Sequence, residues 1–200
     1  MNSLPAPADL ESVIATAELD CRSSRKADRN AENKALLKLT QQLSESPKNF
    51  FNVLVKAALK LSGADSTGIS LLNEEEKRFV WPAVAGKLDC YLGGGTPSDF
   101  GPCGTVLDRR AAVLFQHPER HFTYLAPIVP PLEEVLLIPF SMSGKPVGTI
   151  WAVIHGKDRK FDAEDRRLLE SLSTFAASAY RALVKAGALE PLLSMKLSAS

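Results

Sequence analysis

The sequence predicts an α+β fold: a central antiparallel β-sheet, N- and C-terminal helices packed on one face, and a short-helix and loop region over the other. Three observations predict it. Helical apolar spacing occurs towards the two ends of the chain, strand-like patterns occur between them as two hairpins, and the stretch separating the hairpins holds most of the glycines, prolines, histidines and lone aromatics. The order helices, hairpin, irregular region, hairpin, helix excludes a doubly wound parallel sheet, in which strands and helices alternate.

Taken in order, residues 1–30 carry few large apolar groups and the polar run Arg22-Ser23-Ser24-Arg25-Lys26-Ala27-Asp28-Arg29-Asn30. They read as a flexible or weakly helical N-terminal arm. A single domain then spans 31–187. Its first helix covers 31–45, with Leu36, Leu39 and Leu43 on one face. Ser46-Pro47 restarts a helix, serine capping free N–H groups and proline fitting the first turn. That helix carries Phe50, Phe51, Leu54, Val55, Ala58 and Leu61 and stops at Gly63. Ser66–Leu72 and Arg78–Ala85 form a hairpin across the charged turn Asn73-Glu74-Glu75-Glu76-Lys77. A structureless connection from Gly86 to Pro131 would be unusual in a compact domain. A short helix near Cys103–Arg109 and a strand at Ala112–Phe115 are expected inside it. Glu134–Ser141 and Pro146–His155 make the second hairpin around Ser143-Gly144-Lys145. Asp162 caps the last helix, whose stripe Leu168, Leu172, Phe175, Ala179 and Leu183 precedes a stop at Gly187. Residues 188–200 read as a frayed tail.

The chain has 200 residues, 45% hydrophobic and 24% charged, with 24 basic against 23 acidic side chains and a net charge of +1. This is one globular domain's worth of core. The balance excludes a strongly basic nucleic-acid binder as the default and an acidic solvating protein. The longest apolar run, Val135 to Phe140, is interrupted by Pro139 and falls far short of the roughly 18 residues of a membrane span. The N-terminus lacks the basic and apolar regions of a signal peptide. A cytoplasmic protein without nucleic-acid or membrane partners is expected. Cys21, Cys90 and Cys103 form no C-x-x-C pair and are expected as free thiols.

Several motifs carry a family resemblance. Ile138-Pro139-Phe140, the run Gly144-Lys145-Pro146-Val147-Gly148-Thr149-Ile150-Trp151-Ala152-Val153, then Phe161-Asp162-Ala163-Glu164-Asp165 and Leu168-Leu169 resemble the C-terminal half of a GAF domain. Pro47 to Pro97 fits that family's first helix and hairpin. Gly101-Pro102-Cys103-Gly104-Thr105-Val106-Leu107-Asp108 and Phe115-Gln116-His117-Pro118-Glu119-Arg120 resemble the middle of GAF domains attached to bacterial signalling proteins, often histidine kinases. The likeness covers roughly residues 46–185. It implies a small-molecule sensory domain of a bacterial two-component system. The residues agree independently: Pro139 must sit at a strand end, edge or bulge, and Gly148 leaves room for a close neighbour.

Trp81, Asp99, Phe100, Cys103, Phe115, His117, Arg120, Tyr124, Phe140 and Trp151 are the candidate lining of an apolar ligand pocket with polar anchors; Phe122 belongs to the same aromatic set. A filled aromatic core accounts for the same residues. Cys103, in the first turn of a short helix, is either a dipole-activated thiol or a small buried one. In the resemblance, a cysteine nucleophile reduces free methionine sulfoxide, but partner cysteines are needed and only Cys90 is near. A bilin is attached at a cysteine followed by histidine, a motif that Gly104 breaks. Haem would need an axial histidine from His117, His121 or His155, which are too scattered for a zinc site. The cyclic-nucleotide motif is matched at Phe161 and Asp165 but has Arg166 where glutamate belongs. Gly93-Gly94-Gly95-Thr96 lacks the G-K-[ST] ending of a phosphate loop and reads as a turn. No catalytic constellation and no metal spacing are visible.

In the resemblance, the first and last helices pair across a two-fold axis, so Leu36, Leu39, Leu43, Leu168, Leu172, Phe175 and Leu183 are the candidate homodimer interface. The same stripe also suits packing within one subunit. The expected function is a non-catalytic sensory or regulatory domain that binds a small ligand or partner and signals through a helix-mediated dimer. With no output segment visible after Ala188, it would act on a signalling partner in trans or stand alone. The alternative is a thiol redox sensor or methionine-sulfoxide-reductase-like enzyme using Cys103.

Overall fold

The computed structural model describes residues 7–197; residues 1–6 and 198–200, the outermost parts of the expected arm and tail, lie outside the described residues. Six strands form one antiparallel sheet: β1 (Ser66–Asn73), β2 (Arg78–Gly86), β3 (Gly95–Pro97), β4 (Val113–Gln116), β5 (Glu134–Met142) and β6 (Lys145–Ile154), in the spatial order β3-β2-β1-β6-β5-β4. Both expected hairpins are present, joined in the middle of the sheet by the β1–β6 pairing. Pro139 pairs with Thr149 of β6 but lies beyond Val113, where β4 ends its pairing with β5 at Leu137, so on that side of β5 no strand needs a donor.

Period-two alternation sorts the sheet's side chains between two cores. Ile69, Leu71, Ala83, Ala85, Leu136, Ile138, Phe140, Ile150, Ala152 and Ile154 face the helices. Phe79, Trp81, Val113, Phe115, Val135, Leu137, Trp151 and Val153 face the other way. The helix layer contains α1 (Glu18–Cys21), α2 (Arg29–Glu45), α3 (Phe50–Ser62) and the long α5 (Ala163–Lys185). Between β3 and β4 lies α4 (Pro102–Arg109), and α6 (Glu190–Leu193) follows α5. The Asp162 carboxylate accepts from Asp165 N at 3.0 Å while Asp165 accepts from Asp162 N at 3.2 Å, a capping box that sets the start of α5.

The described residues of the arm, 7–30, carry the short helix α1 and, like those of the tail, 188–197, pack on the domain. The N-terminal segment is a strap, not a loose arm. Val13 and Leu19 are buried, Ile14 bridges to Phe115, and Ala15 N donates to Leu114 O at 2.8 Å. Arg22 then grips the fully buried Glu134 at 2.8 and 3.1 Å and donates to the Phe161 carbonyl at 2.7 Å. Its anchors are two apolar side chains and long-range polar contacts, which leave no local pattern. The tail docks rather than frays: Asn73 Nδ2 donates to Leu193 O at 3.2 Å and Arg78 to Met195 O at 3.3 Å.

The glycine run is also structured. Gly95 pairs in β3, and a Cβ there would stand 1.8 Å from the Phe79 carbonyl oxygen. Of the residues expected at a dimer interface, Leu168, Leu172 and Leu183 of α5 are buried within the subunit against the sheet and α3, and Leu39 of α2 is buried against α3. Leu36, Leu43 and Phe175 are half-buried against the same core. A stripe at helical spacing has the same form whether its own subunit or a second one covers it, and here the sheet and α3 cover that of α5 and α3 covers that of α2.

Candidate functional site

The site lies on the sheet face away from the long helices. Its floor is set by Gly68: a Cβ there would fall 2.1 Å from Trp151 Cζ2, so glycine is what lets the indole lie flat on β1. The Trp151 N–H donates to Ser70 Oγ at 3.0 Å, and Trp81 from β2 meets Trp151 edge-on with centroids 5.6 Å apart. Across β6, Leu137 lies opposite Trp151 and Val135 opposite Val153, extending the floor. Gly148 lets β6 approach β1, since a Cβ there would stand 2.3 Å from Ser70 O and 2.6 Å from the Phe140 ring.

The wall is β3 and α4. Cys103 is buried, donates to Ser70 Oγ at 3.3 Å and accepts weakly from Thr149 Oγ1 at 3.5 Å. Burial pushes its thiol up, outweighing its hydrogen bonds with Ser70 and Thr149. A thiol held in this way is a packing and hydrogen-bonding group rather than a nucleophile. Next to it, a Cβ on Gly104 would stand 2.3 Å from Ser98 O, so no histidine fits where a bilin site requires one. The lid contributes Pro118, Leu125, Ile128 and Leu132. Outside it Phe100, His121, Phe122 and Tyr124 stack with centroids 4.6–6.5 Å apart.

The cavity, partly open at its mouth, measures about 50 Å³. A water needs about 10–15 Å³ on this measure, whereas a drug-sized ligand occupies roughly 300–1,000 Å³. In this conformation the pocket therefore takes only a few atoms. Three buried polar atoms around it, Trp81 Nε1, Thr96 Oγ1 and the Tyr124 hydroxyl, have no hydrogen-bond partner among the described residues. Burial also pushes the Tyr124 hydroxyl up, keeping it protonated and a donor.

Of the sequence candidates, Trp81, Cys103 and Trp151 line the cavity together. Phe115 backs it and Tyr124 flanks it, while Phe100 caps it from outside at 43% exposure. Phe140 is corrected to the opposite face, where it packs on Tyr180 at 6.4 Å. Asp99 and Arg120 are exposed, and His117 stands between Glu119 and Glu133, each 3.5 Å away; none of the three lines the cavity. No histidine does, His121 bonding Ala8 O and His155 bonding Ser66 and Pro131 O, so the residues present do not fit a haem. Among the described residues there is no cluster of three metal-ligating side chains, and no helix is long and apolar enough to cross a membrane. Sequence reading missed Thr96, Val135, Leu137 and Val153. The last three were accessible through strand parity with Trp151.

An antiparallel sheet with long helices behind it and a small cavity under a loop cover in front is an α+β domain with one functional face. The GAF domain family profile matches residues 44–180, and the chain belongs to that family. Among solved structures it is similar to the GAF domain of an Acinetobacter phosphoenolpyruvate-protein phosphotransferase, with 21% identity, TM-score 0.66, and 80% of this chain and 96% of that one covered. It is also similar to free methionine-R-sulfoxide reductase from Neisseria meningitidis in complex with its substrate, at 16% identity and TM-score 0.66, covering 82% and 97%. A phycoerythrobilin-bound GAF domain from a cyanobacterial phytochrome matches at 12% identity and TM-score 0.66, covering 79% and 99%. At these identities the likeness is one of fold. No curated protein matches the chain.

Proposed function

We propose that this is a non-catalytic sensory GAF domain that binds a small, compact ligand between the sheet and the 117–132 lid and reports through its helices in a homodimer, acting on a signalling partner. The observation that carries this reading is the set of three unpartnered polar atoms, Trp81 Nε1, Thr96 Oγ1 and the Tyr124 hydroxyl, buried close behind a cavity whose exposed lining is apolar. Each unsatisfied buried polar group costs about 1–3 kcal/mol. A ligand whose acceptor oxygen draws one of these donors towards the cavity would relieve part of that cost and so favour the bound state, which is the differential affinity a sensor needs. A bulkier ligand requires the lid to swing out. The dimer reading now rests on outward residues, Leu37 at 67% and Val184 at 42% exposure on the terminal helices. A thiol enzyme is less well supported, because Cys103 is buried and its thiolate disfavoured.

Native mass spectrometry of the protein as purified from cells tests the proposal. The expected result is a dimer carrying excess mass that is lost in Trp81→Ala, and a monomer in Leu37→Glu. Bare monomers in every preparation overturn it.

A further inference from the structure

On the far side of the molecule, α2 and α3 enclose an open groove of about 730 Å³. Lys34 and Lys38 of α2 line one rim and Lys56 and Lys60 of α3 the other, all exposed and none in an ion pair among the described residues. Each pair is spaced i,i+4, an arrangement of like charges that weakens the helix bearing it. No carboxylate offsets them. Helix α3 contains no acidic residue, Glu32 is buried against Arg167 and Arg29, and Asp28 at the groove's end already caps α2 through Ala31 N. In a chain of net charge +1 this is a local concentration of positive charge. The floor is apolar and narrow-chained: Ala35, Leu39, Ala57 and Leu61.

We infer that this groove docks an acidic amphipathic α-helix from a partner protein. The alanines allow a close backbone approach along the floor, and the two lysine rims match glutamates flanking an apolar stripe. A membrane or nucleic acid would be expected to use a flat basic face or stacking aromatics, whereas this surface is concave and lined by no aromatic side chain. A second copy of this chain does not supply the occupant: on α5 Glu164 and Asp165 are held by Arg167 and Arg159, which leaves Glu170 alone against two lysine rims, and Glu74-Glu75-Glu76 is a turn rather than a helix. This inference is independent of the ligand pocket.

The test is fluorescence anisotropy of the full chain with a labelled helical peptide of about 18 residues, long enough to span the groove, bearing an Ala/Leu stripe flanked by glutamates. Saturable binding is expected, weakening steeply with salt. Lys34→Glu/Lys38→Glu and Lys56→Glu/Lys60→Glu should each weaken it about tenfold or more, and a lysine-flanked peptide should bind the reversed variants instead. Lys56→Gln/Lys60→Gln serves if a reversal variant fails to fold. Failure to saturate, undiminished binding by the folded double variants, or lysine-dependent binding to phosphatidylserine vesicles or duplex DNA in place of the peptide would each overturn the inference.

Discussion

Single positions decide the shape of the cavity. Gly68→Ala would press a methyl group into the Trp151 indole, so it should destabilise the domain by about 1–3 kcal/mol, the usual range for overpacking. Chemical denaturation measures the loss, and a shifted tryptophan emission would show that the indole has left its bed. Cys103 makes an opposite kind of prediction. Buried and with its thiol pushed up, it should stay unmodified while the exposed Cys21 and Cys90 react with a thiol reagent in the native state, all three reacting only after unfolding. Rapid native labelling of Cys103 would restore the thiol-sensor reading. At this scale the sequence was legible in part. Trp81, Cys103 and Trp151 announce themselves by type, whereas Phe140 was misassigned because aromatic character says nothing about strand parity. Thr96 gives no local signal at all.

At the scale of elements, the N-terminal strap joins parts that are distant in sequence. Arg22 and Glu134 are 112 residues apart, and their ion pair ties the strap to the start of β5 and to the residue before the α5 cap. Arg22→Ala leaves a fully buried carboxylate with only the Phe161 N–H and Gln116 as donors and Lys160 nearby, and should cost about 3 kcal/mol. Adding Glu134→Gln should recover part of that, which equilibrium unfolding of the double variant would measure. Equal stability of wild type and Arg22→Ala would mean that the strap is dispensable. Because the strap also bonds the lid, through Ala8 N to Arg120 O and His121 Nδ1 to Ala8 O, it physically links the cavity's cover to the long helix.

For the whole molecule, pH stability follows from the ties between α2 and α5. Hydrogen bonds from Arg167 hold the Glu32 and Glu164 carboxyls below their ordinary range. Carboxyls lowered in the folded state stabilise it above their unfolded values, and that contribution is lost as pH falls through the folded ones. Unfolding free energy should therefore drop from about pH 5 downwards, and drop less in Arg167→Met. Asp165 acts in the opposite sense, raised by burial against the pull of Arg159 and Arg25, so the difference between wild type and variant isolates the Arg167 pairs. Parallel pH profiles would refute the assignment.

The sequence by itself determined the α+β class, both hairpins, α3, α4 and the capped α5, because apolar period, caps and turn residues act over a few neighbouring positions. Only the tertiary structure decided which sheet face Phe140 joins, that the leucine stripe of α5 meets the sheet and that of α2 meets α3, that residues 7–30 and 188–197 pack on the domain, and how small the cavity is. Those outcomes depend on long-range pairs such as Arg22 with Glu134 and Gly68 with Trp151, whose energy comes from proximity that no local pattern encodes.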